Sequence, residues 1–247
     1  MMKRLAAPIF ALCALLAAPA SAEGLDDAAR AEINAMIRDY ILDNPEVIVE
    51  AMQVLEQRQK AAEAGRDADM IAANADAIYE DGFSHVGGAP DGDVTVVEFI
   101  DYRCPYCKRA HASVAELMEA DPKVRRIIKE FPILGPESTY ASRAAIAAMM
   151  QGGAIYEAFG DAMMTHQGEL NERAVLRLAG EAGADVERLK ADMEKPEIAE
   201  NIRKTYALAR QLGISGTPGF IIGERIVRGF VPADALRDLV AEARRAG

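Results

Sequence analysis

The spacing of apolar residues divides the chain into a helical start, a mixed middle and a short β-hairpin near the end. Ile33, Met36, Ile37, Tyr40 and Ile41 recur at i, i+3, i+4, i+7 and i+8, the pattern of one apolar helix face. Asn44-Pro45 interrupts it: Asn caps helices, and Pro suits a first helical turn. Ile48, Met52 and Leu55 predict a second helix. Residues 57–69 are polar and Ala-rich around Gly65, and Ile71, Ala75 and Ile78 resume the stripe. Residues 23–80 carry no strand signal and too few large apolar side chains to enclose a core. They are expected to dock on the rest of the chain or to associate with copies of themselves.

Residues 82–93 are rich in turn signals, Gly87-Gly88 and Pro90-Asp91-Gly92. Residues 94–100 are β-branched and apolar except for Thr95 and Glu98, which predicts a buried strand. Ala110, Val114 and Leu117 place a helix over 107–120, and residues 124–131 read as the next strand, ended by Pro132. Residues 137–213 read as about four helices, over 141–151, 156–164, 174–182 and 186–212. A hairpin is expected from strands at 219–222 and 226–230 around a turn at 223–225. Pro232 and Ala233 open a last helix with Leu236, Leu239 and Val240 inward. The order strand, helix, strand, helical block, hairpin, helix predicts an α/β domain over 81–247 behind an all-helical segment.

The 247 residues are 51 % apolar and 27 % charged, the balance of a soluble globular protein. A net charge of −11 argues against nucleic acid or an anionic membrane surface as the main partner, since phosphate binding needs clustered Lys and Arg. Residues 1–22 read as a secretory signal: Lys3 and Arg4, an apolar run over 5–18, then Ala20-Ser21-Ala22. The run of about 14 residues is shorter than the ~20 of a spanning helix. Cleavage would remove Cys13 and leave Cys104 and Cys107. Cysteines of an exported protein meet an oxidising compartment. A bridge between these two closes a tiny loop and restrains the unfolded chain little. The pair is therefore read as chemistry rather than as a staple.

Cys104-Pro105-Tyr106-Cys107 follows a strand and opens a helix. The unpaired N–H groups and positive dipole end of that helix favour a thiolate at Cys104. Thiols in such motifs have pKa values of roughly 3.5–7.5. Cys107, one turn on, is placed to resolve a mixed disulfide, and a low-pKa thiol is a good leaving group. Zinc needs about four ligands; the sequence has no second CxxC, and of His85, His111 and His166 only His111 is near. A cysteine hydrolase needs one Cys with a His base rather than a vicinal pair. Two thiolates also suit Cu(I), so copper handling stays open as a second reading.

Glu98, six positions before Cys104, is the one charge within the strand. Buried near the thiols it would tune their protonation; on an edge it would face solvent. Lys129, Glu130 and His111 are read as surface groups, and Met149-Met150 and Met163-Met164 as core filler. Pro218, directly before an apolar strand, is not an ordinary ladder residue, and a cis Thr217–Pro218 bond would turn the chain sharply there.

Val97-Glu98-Phe99 through Cys104-Pro105-Tyr106-Cys107, the stretch from Phe131-Pro132-Ile133-Leu134 to Ser138, and Gly216-Thr217-Pro218-Gly219-Phe220 together resemble DsbA-like thiol-disulfide oxidoreductases. The resemblance covers about residues 90–245. It implies a thioredoxin fold with a helical insertion at about 137–213, Cys104 as the exposed nucleophile and Cys107 as its buried partner. Glu98 matches the family's buried acid, and Thr217 and cis-Pro218 would hold substrate backbone. Within the family the chain is most similar to the ScsC and Com1-like branch, whose members carry a Pro-Tyr dipeptide and an N-terminal extension. That branch implies an oligomer, a trimer in some members, acting as a disulfide isomerase on misoxidised exported proteins in the periplasm. Thr before the cis-Pro also resembles isomerases. A monomeric dithiol oxidase, serving unfolded exported proteins and recharged by a membrane redox partner, is the alternative. No metal or organic cofactor is expected.

Overall fold

A computed structural model of the chain describes residues 26–246. The signal read at 1–22 lies outside the described residues, as do the first three positions of the helical segment. The chain divides into two units, at Gln57 and Arg58.

In the first unit, α1 (Asp27–Asp43) starts at Asp26, whose carboxylate accepts from Ala29 N at 2.7 Å. It ends at Asn44, whose backbone and side-chain N–H groups both donate to the Tyr40 carbonyl. The first part of α2 (Glu46–Ala73) follows. No residue of α1 is buried. The predicted apolar stripes exist, but Met36, Ile37, Tyr40, Met52 and Leu55 are all more than half exposed.

The second unit begins in the rest of α2, which continues through Gly65 without interruption. Asn74 then breaks the stripe, its amide donating to Met70 O at 2.8 Å, and α3 (Ala75–Tyr79) starts anew. After it come β1 (His85–Gly88), β2 (Val94–Ile100), α4 (Pro105–Ala120) and β3 (Val124–Glu130). The helical block is α5 (Pro136–Met149), α6 (Gly153–Thr165), α7 (Glu172–Glu181), α8 (Val186–Met193) and α9 (Pro196–Gln211). The hairpin β4 (Gly219–Ile222) and β5 (Arg225–Arg228) and then α10 (Ala233–Ala246) complete it.

Five strands form one sheet in the order β1-β3-β2-β4-β5. β2 is central, parallel to β3 and antiparallel to β4. Its two faces follow the period of two. Val94 and Val96 meet Ala110, Val114 and Leu117 of α4 and Leu236 and Val240 of α10. Val97 and Phe99 meet Ile71 and Ile78 on one flank, Leu208 and Ala209 of α9, and Leu212 just after it. Burial on both faces explains why β2 is almost uniformly apolar. The second half of α2 is therefore part of this core, and Asp67 fixes it to β5: its carboxylate accepts from Ile226 N at 3.3 Å and from Arg228 at 3.1 Å.

Several expectations are corrected. The stretch at 82–93 contains β1, a four-residue strand with two glycines and no strand signal of its own. The helix at 186–212 is two helices, because Pro196 cannot continue α8 and opens α9. Lys129 and Glu130 are not surface charges but are 1 % and 6 % exposed. Lys129 donates to Asp81 at 2.5 Å and to Ala77 O at 2.9 Å, so the α3–β1 connection lies over a strand end that patterning left open.

Candidate active site

The dipeptide motif sits where β2 hands over to α4. Cys104 is the N-cap, Pro105 the first helical residue, and Cys107 lies within the first turn. Pro105 has no N–H to lose there, and its ring presets the helical φ. Cys104 and Cys107 are unbridged and both buried, at 6 % and 0 % exposure, so Cys104 is not the exposed sulfur that the resemblance implied; Tyr106, at 55 %, is the exposed member of the motif. The Thr217–Pro218 peptide is cis. It brings the Thr217 carbonyl to 3.2 Å from the Cys104 sulfur, which donates to it as a thiol. The structure thus gathers Cys104, Pro105, Tyr106, Cys107, Thr217 and Pro218 at one end of the sheet.

The two thiols are driven apart in acidity. A hydrogen bond from the Cys107 thiol is the largest influence on Cys104. With help from Thr217 and the backbone N–H groups of Cys107 and Tyr106, it outweighs burial and pulls Cys104 down to about 5. Sharing that bond with Cys104 pushes the Cys107 thiol far up, and burial pushes it further. At neutral pH Cys104 is therefore a thiolate by roughly a hundredfold and Cys107 a thiol. The Thr217 hydroxyl is buried with no other hydrogen-bond partner, which leaves it available to a sulfur anion.

Glu98 is buried at 1 % exposure in the central strand, and its Oε2 accepts from Arg126 at 2.5 and 3.2 Å. By the two-residue period it shares the face of β2 that carries Val94 and Val96 toward α4. Glu98 is not among the main influences on either thiol. His111 pairs with Asp161 at 2.8 Å and is not among the main influences on either thiol.

Two carboxylates that the sequence reading did not select organise the site. Asp101, fully buried, follows β2 directly. One oxygen accepts from Arg103 N at 2.9 Å and Ser138 Oγ at 2.8 Å, the other from Ile133 N at 2.8 Å and Leu134 N at 3.0 Å. It binds the approach to Cys104 onto the loop after β3. A charged residue at the end of an apolar strand was the available signal. Glu130 accepts from Tyr102 at 2.8 Å and Tyr156 at 2.7 Å through one oxygen, and its other oxygen has no hydrogen-bond partner among the described residues. Burial pushes its carboxyl up to about 7. A cavity of about 400 Å³ lies beneath α4 and α6, bordered by His85, His111, Arg126 and Tyr156; neither cysteine lines it. Among the described residues no group of three or more His, Cys, Asp or Glu is arranged to hold a metal ion.

Residues 80–242 match the family model described as thioredoxin. Residues 30–62 match that of the copper resistance protein ScsC N-terminal domain. Among solved structures, the chain is similar to a thioredoxin-like oxidoreductase from Silicibacter pomeroyi. The identity is 49 % and the TM-score 0.67, over 70 % of this chain and 98 % of that one. Proteus mirabilis ScsC in a transitional conformation is 31 % identical with a TM-score of 0.67, over 90 % and 98 % of the two chains. The thiol-disulfide exchange protein alpha-DsbA2 from Wolbachia pipientis is 27 % identical with a TM-score of 0.70, over 73 % and 97 %. The curated relatives include a Na(+)/H(+) antiporter NhaA from Herminiimonas arsenicoxydans, 31 % identical over 162 residues. That match takes 65 % of this chain and 26 % of the antiporter, so the chain spans about a quarter of that relative's length.

Proposed function

We propose that this chain, which belongs to the DsbA-like ScsC branch of the thioredoxin superfamily, exchanges disulfides with exported proteins through Cys104. The observation that carries the reading is the acidified Cys104 sulfur at the head of α4, beside the cis Thr217–Pro218 peptide.

In the reducing direction the Cys104 thiolate attacks one sulfur of a substrate disulfide. A bond forms between Cys104 and that sulfur, and the other substrate sulfur leaves as a thiolate that takes up a proton. If a second substrate thiolate then attacks the substrate sulfur of this mixed disulfide, Cys104 departs as a thiolate. The substrate is rearranged with no net transfer of electrons. If Cys107 attacks the Cys104 sulfur instead, the substrate leaves reduced and the protein holds the Cys104–Cys107 disulfide. The oxidising direction is the reverse, and it removes two electrons and two protons from the substrate. Once Cys104 is in a mixed disulfide its negative charge is gone, so the influence that holds Cys107 protonated weakens and resolution becomes accessible. Substrate backbone would lie along the Thr217–Pro218 edge. Glu98, paired with Arg126, would act on the thiols only at a distance.

The isomerase direction is favoured by the first unit. Its exposed Met36, Ile37, Tyr40, Met52 and Leu55 form stripes that suit burial against other copies. An oligomer that shields its active sites from a membrane oxidase would keep Cys104 reduced. A periplasmic setting, misoxidised client proteins and a membrane reductant follow from the same reading. The test is light scattering of the full chain, beside recovery of activity by a scrambled disulfide protein. Ile37→Glu with Met52→Glu should give a monomer and lose isomerisation while keeping simple dithiol exchange. A monomeric parent would instead favour the oxidase.

A further inference from the structure

Three cationic side chains bracket the cysteines, and two of them are engaged. Arg103 donates to Leu134 O at 3.0 Å and to Glu137 at 2.9 Å. Lys108 donates to His166 O at 2.6 Å. Arg109 makes no hydrogen bond or ion pair among the described residues, yet it is held in place. Its guanidinium carbon lies 5.5 Å from the ring centre of Tyr106 and 4.5 Å from that of Phe230.

Those rings are parts of the site's rim. Tyr106 belongs to the motif itself and is exposed. Phe230 follows Gly229, whose N–H donates to the Pro218 carbonyl at 2.9 Å. The Thr217 carbonyl in turn receives the Cys104 thiol. A continuous shelf therefore runs from Cys104 through the cis peptide to Phe230 and back over Arg109 to Tyr106. Arg109 is not among the main influences on either thiol, so its charge is not accounted for by tuning them.

We propose that Arg109, laid over Tyr106 and Phe230, reads a carboxylate side chain close to the reacting cysteine of an extended substrate segment. This rests on the disulfide-exchange reading above. A guanidinium presents five donors in a plane that matches a carboxylate. The two aromatic faces fix that plane from behind, so less freedom is lost on binding than for an unsupported arginine. The surrounding chain is acidic, at −11, and a substrate carboxylate would meet repulsion over most of the surface. This shelf supplies the opposite charge beside the nucleophile. Arg109 is five positions after Cys104, a step of about 7.5 Å along the helix axis. An extended peptide covers that distance in about two residues. The carboxylate is thus placed about two positions from the substrate cysteine.

The experiment uses the full chain, reduced, with three disulfide peptides that differ only in Glu, Gln or Lys two positions from the reacting cysteine. The expected order of kcat/KM is Glu over Gln over Lys, with about a fourfold step at each change in low salt. In about 1 M salt the order should collapse. Arg109→Gln should erase the Glu-to-Gln ratio, and Arg109→Lys, which keeps the charge but not the plane, should retain part of it. Because each ratio is taken within one protein, a general loss of activity does not mimic the effect. Equal rates on all three peptides, or an unchanged ratio in Arg109→Gln, overturns the proposal. No exchange with any peptide overturns the underlying exchange reading instead.

Discussion

Replacing Cys107 tests what acidifies Cys104. The largest influence on Cys104 is the hydrogen bond from the Cys107 thiol, and the helix-end N–H groups come after it. A hydrogen bond to a charged group contributes about 1.5–3 kcal/mol, and one pH unit corresponds to about 1.36 kcal/mol. Cys107→Ala should therefore raise the Cys104 midpoint from about 5 by roughly one to two pH units. Cys107→Ser keeps a donor at the same place and should recover most of the depression. The assay is the pH dependence of alkylation of the reduced protein by iodoacetamide, checked by ultraviolet thiolate absorbance. Wild type should lose alkylation at Cys104 only below about pH 5, with Cys107 unlabelled. A Cys107→Ala midpoint unchanged from wild type would refute the reasoning and leave the helix terminus as the main cause. Alanine and serine variants with equal, raised midpoints would show that packing, not the hydrogen bond, is responsible.

Other consequences follow from the same geometry. Because the Cys104 pKa is depressed in the folded reduced protein, its contribution to stability is complete above the unfolded thiol value and disappears as pH falls through about 5. The reduced form should gain about 1–2 kcal/mol on the oxidised form between pH 5 and 7; paired denaturant titrations measure it, and a flat difference would contradict it. Glu130 has the opposite sign: raised to about 7, its carboxyl favours folding at low pH and loses that contribution as pH rises through about 7. Glu130→Gln, which can still accept from Tyr102 and Tyr156, should be more stable than wild type by about 2 kcal/mol at pH 8 and similar to it at pH 4; melting temperatures across that range decide. Asp101→Ala leaves four donors without their acceptor, and a cost of about 3–5 kcal/mol is expected in urea unfolding; a cost under about 1 kcal/mol would show that the loop is held by other contacts.

The central βαβ unit was legible because its signals are local. β2 is apolar along its length, α4 opens on Pro105, and Pro218 precedes β4. The position of Cys104 and Cys107 at the head of α4 could be read from the sequence alone, because Pro105 marks the helix start. What failed depends on neighbours distant in sequence. β1 is held by pairing with β3 rather than by its own residues, His85-Val86-Gly87-Gly88. Lys129 looks like a surface lysine until Asp81 and Ala77, 48 and 52 residues earlier, are seen covering it. The stripes containing Ile37 and Ile78 have similar spacing, yet Ile37 is 52 % exposed and Ile78 fully buried. Periodicity reports an apolar face and not what covers it. Asp101 gives little local signal for a related reason, because three of its four donors lie more than thirty positions away.

The most direct test of the account is to trap the covalent intermediate. Reduced Cys107→Ala protein is mixed with a disulfide-containing peptide near pH 6.5 and analysed by intact and fragment mass spectrometry. The account predicts one peptide per chain, attached at Cys104, and no adduct when Cys104→Ala is used with Cys107 intact. An adduct at Cys107 in that second variant, or none at Cys104 in the first, would contradict it.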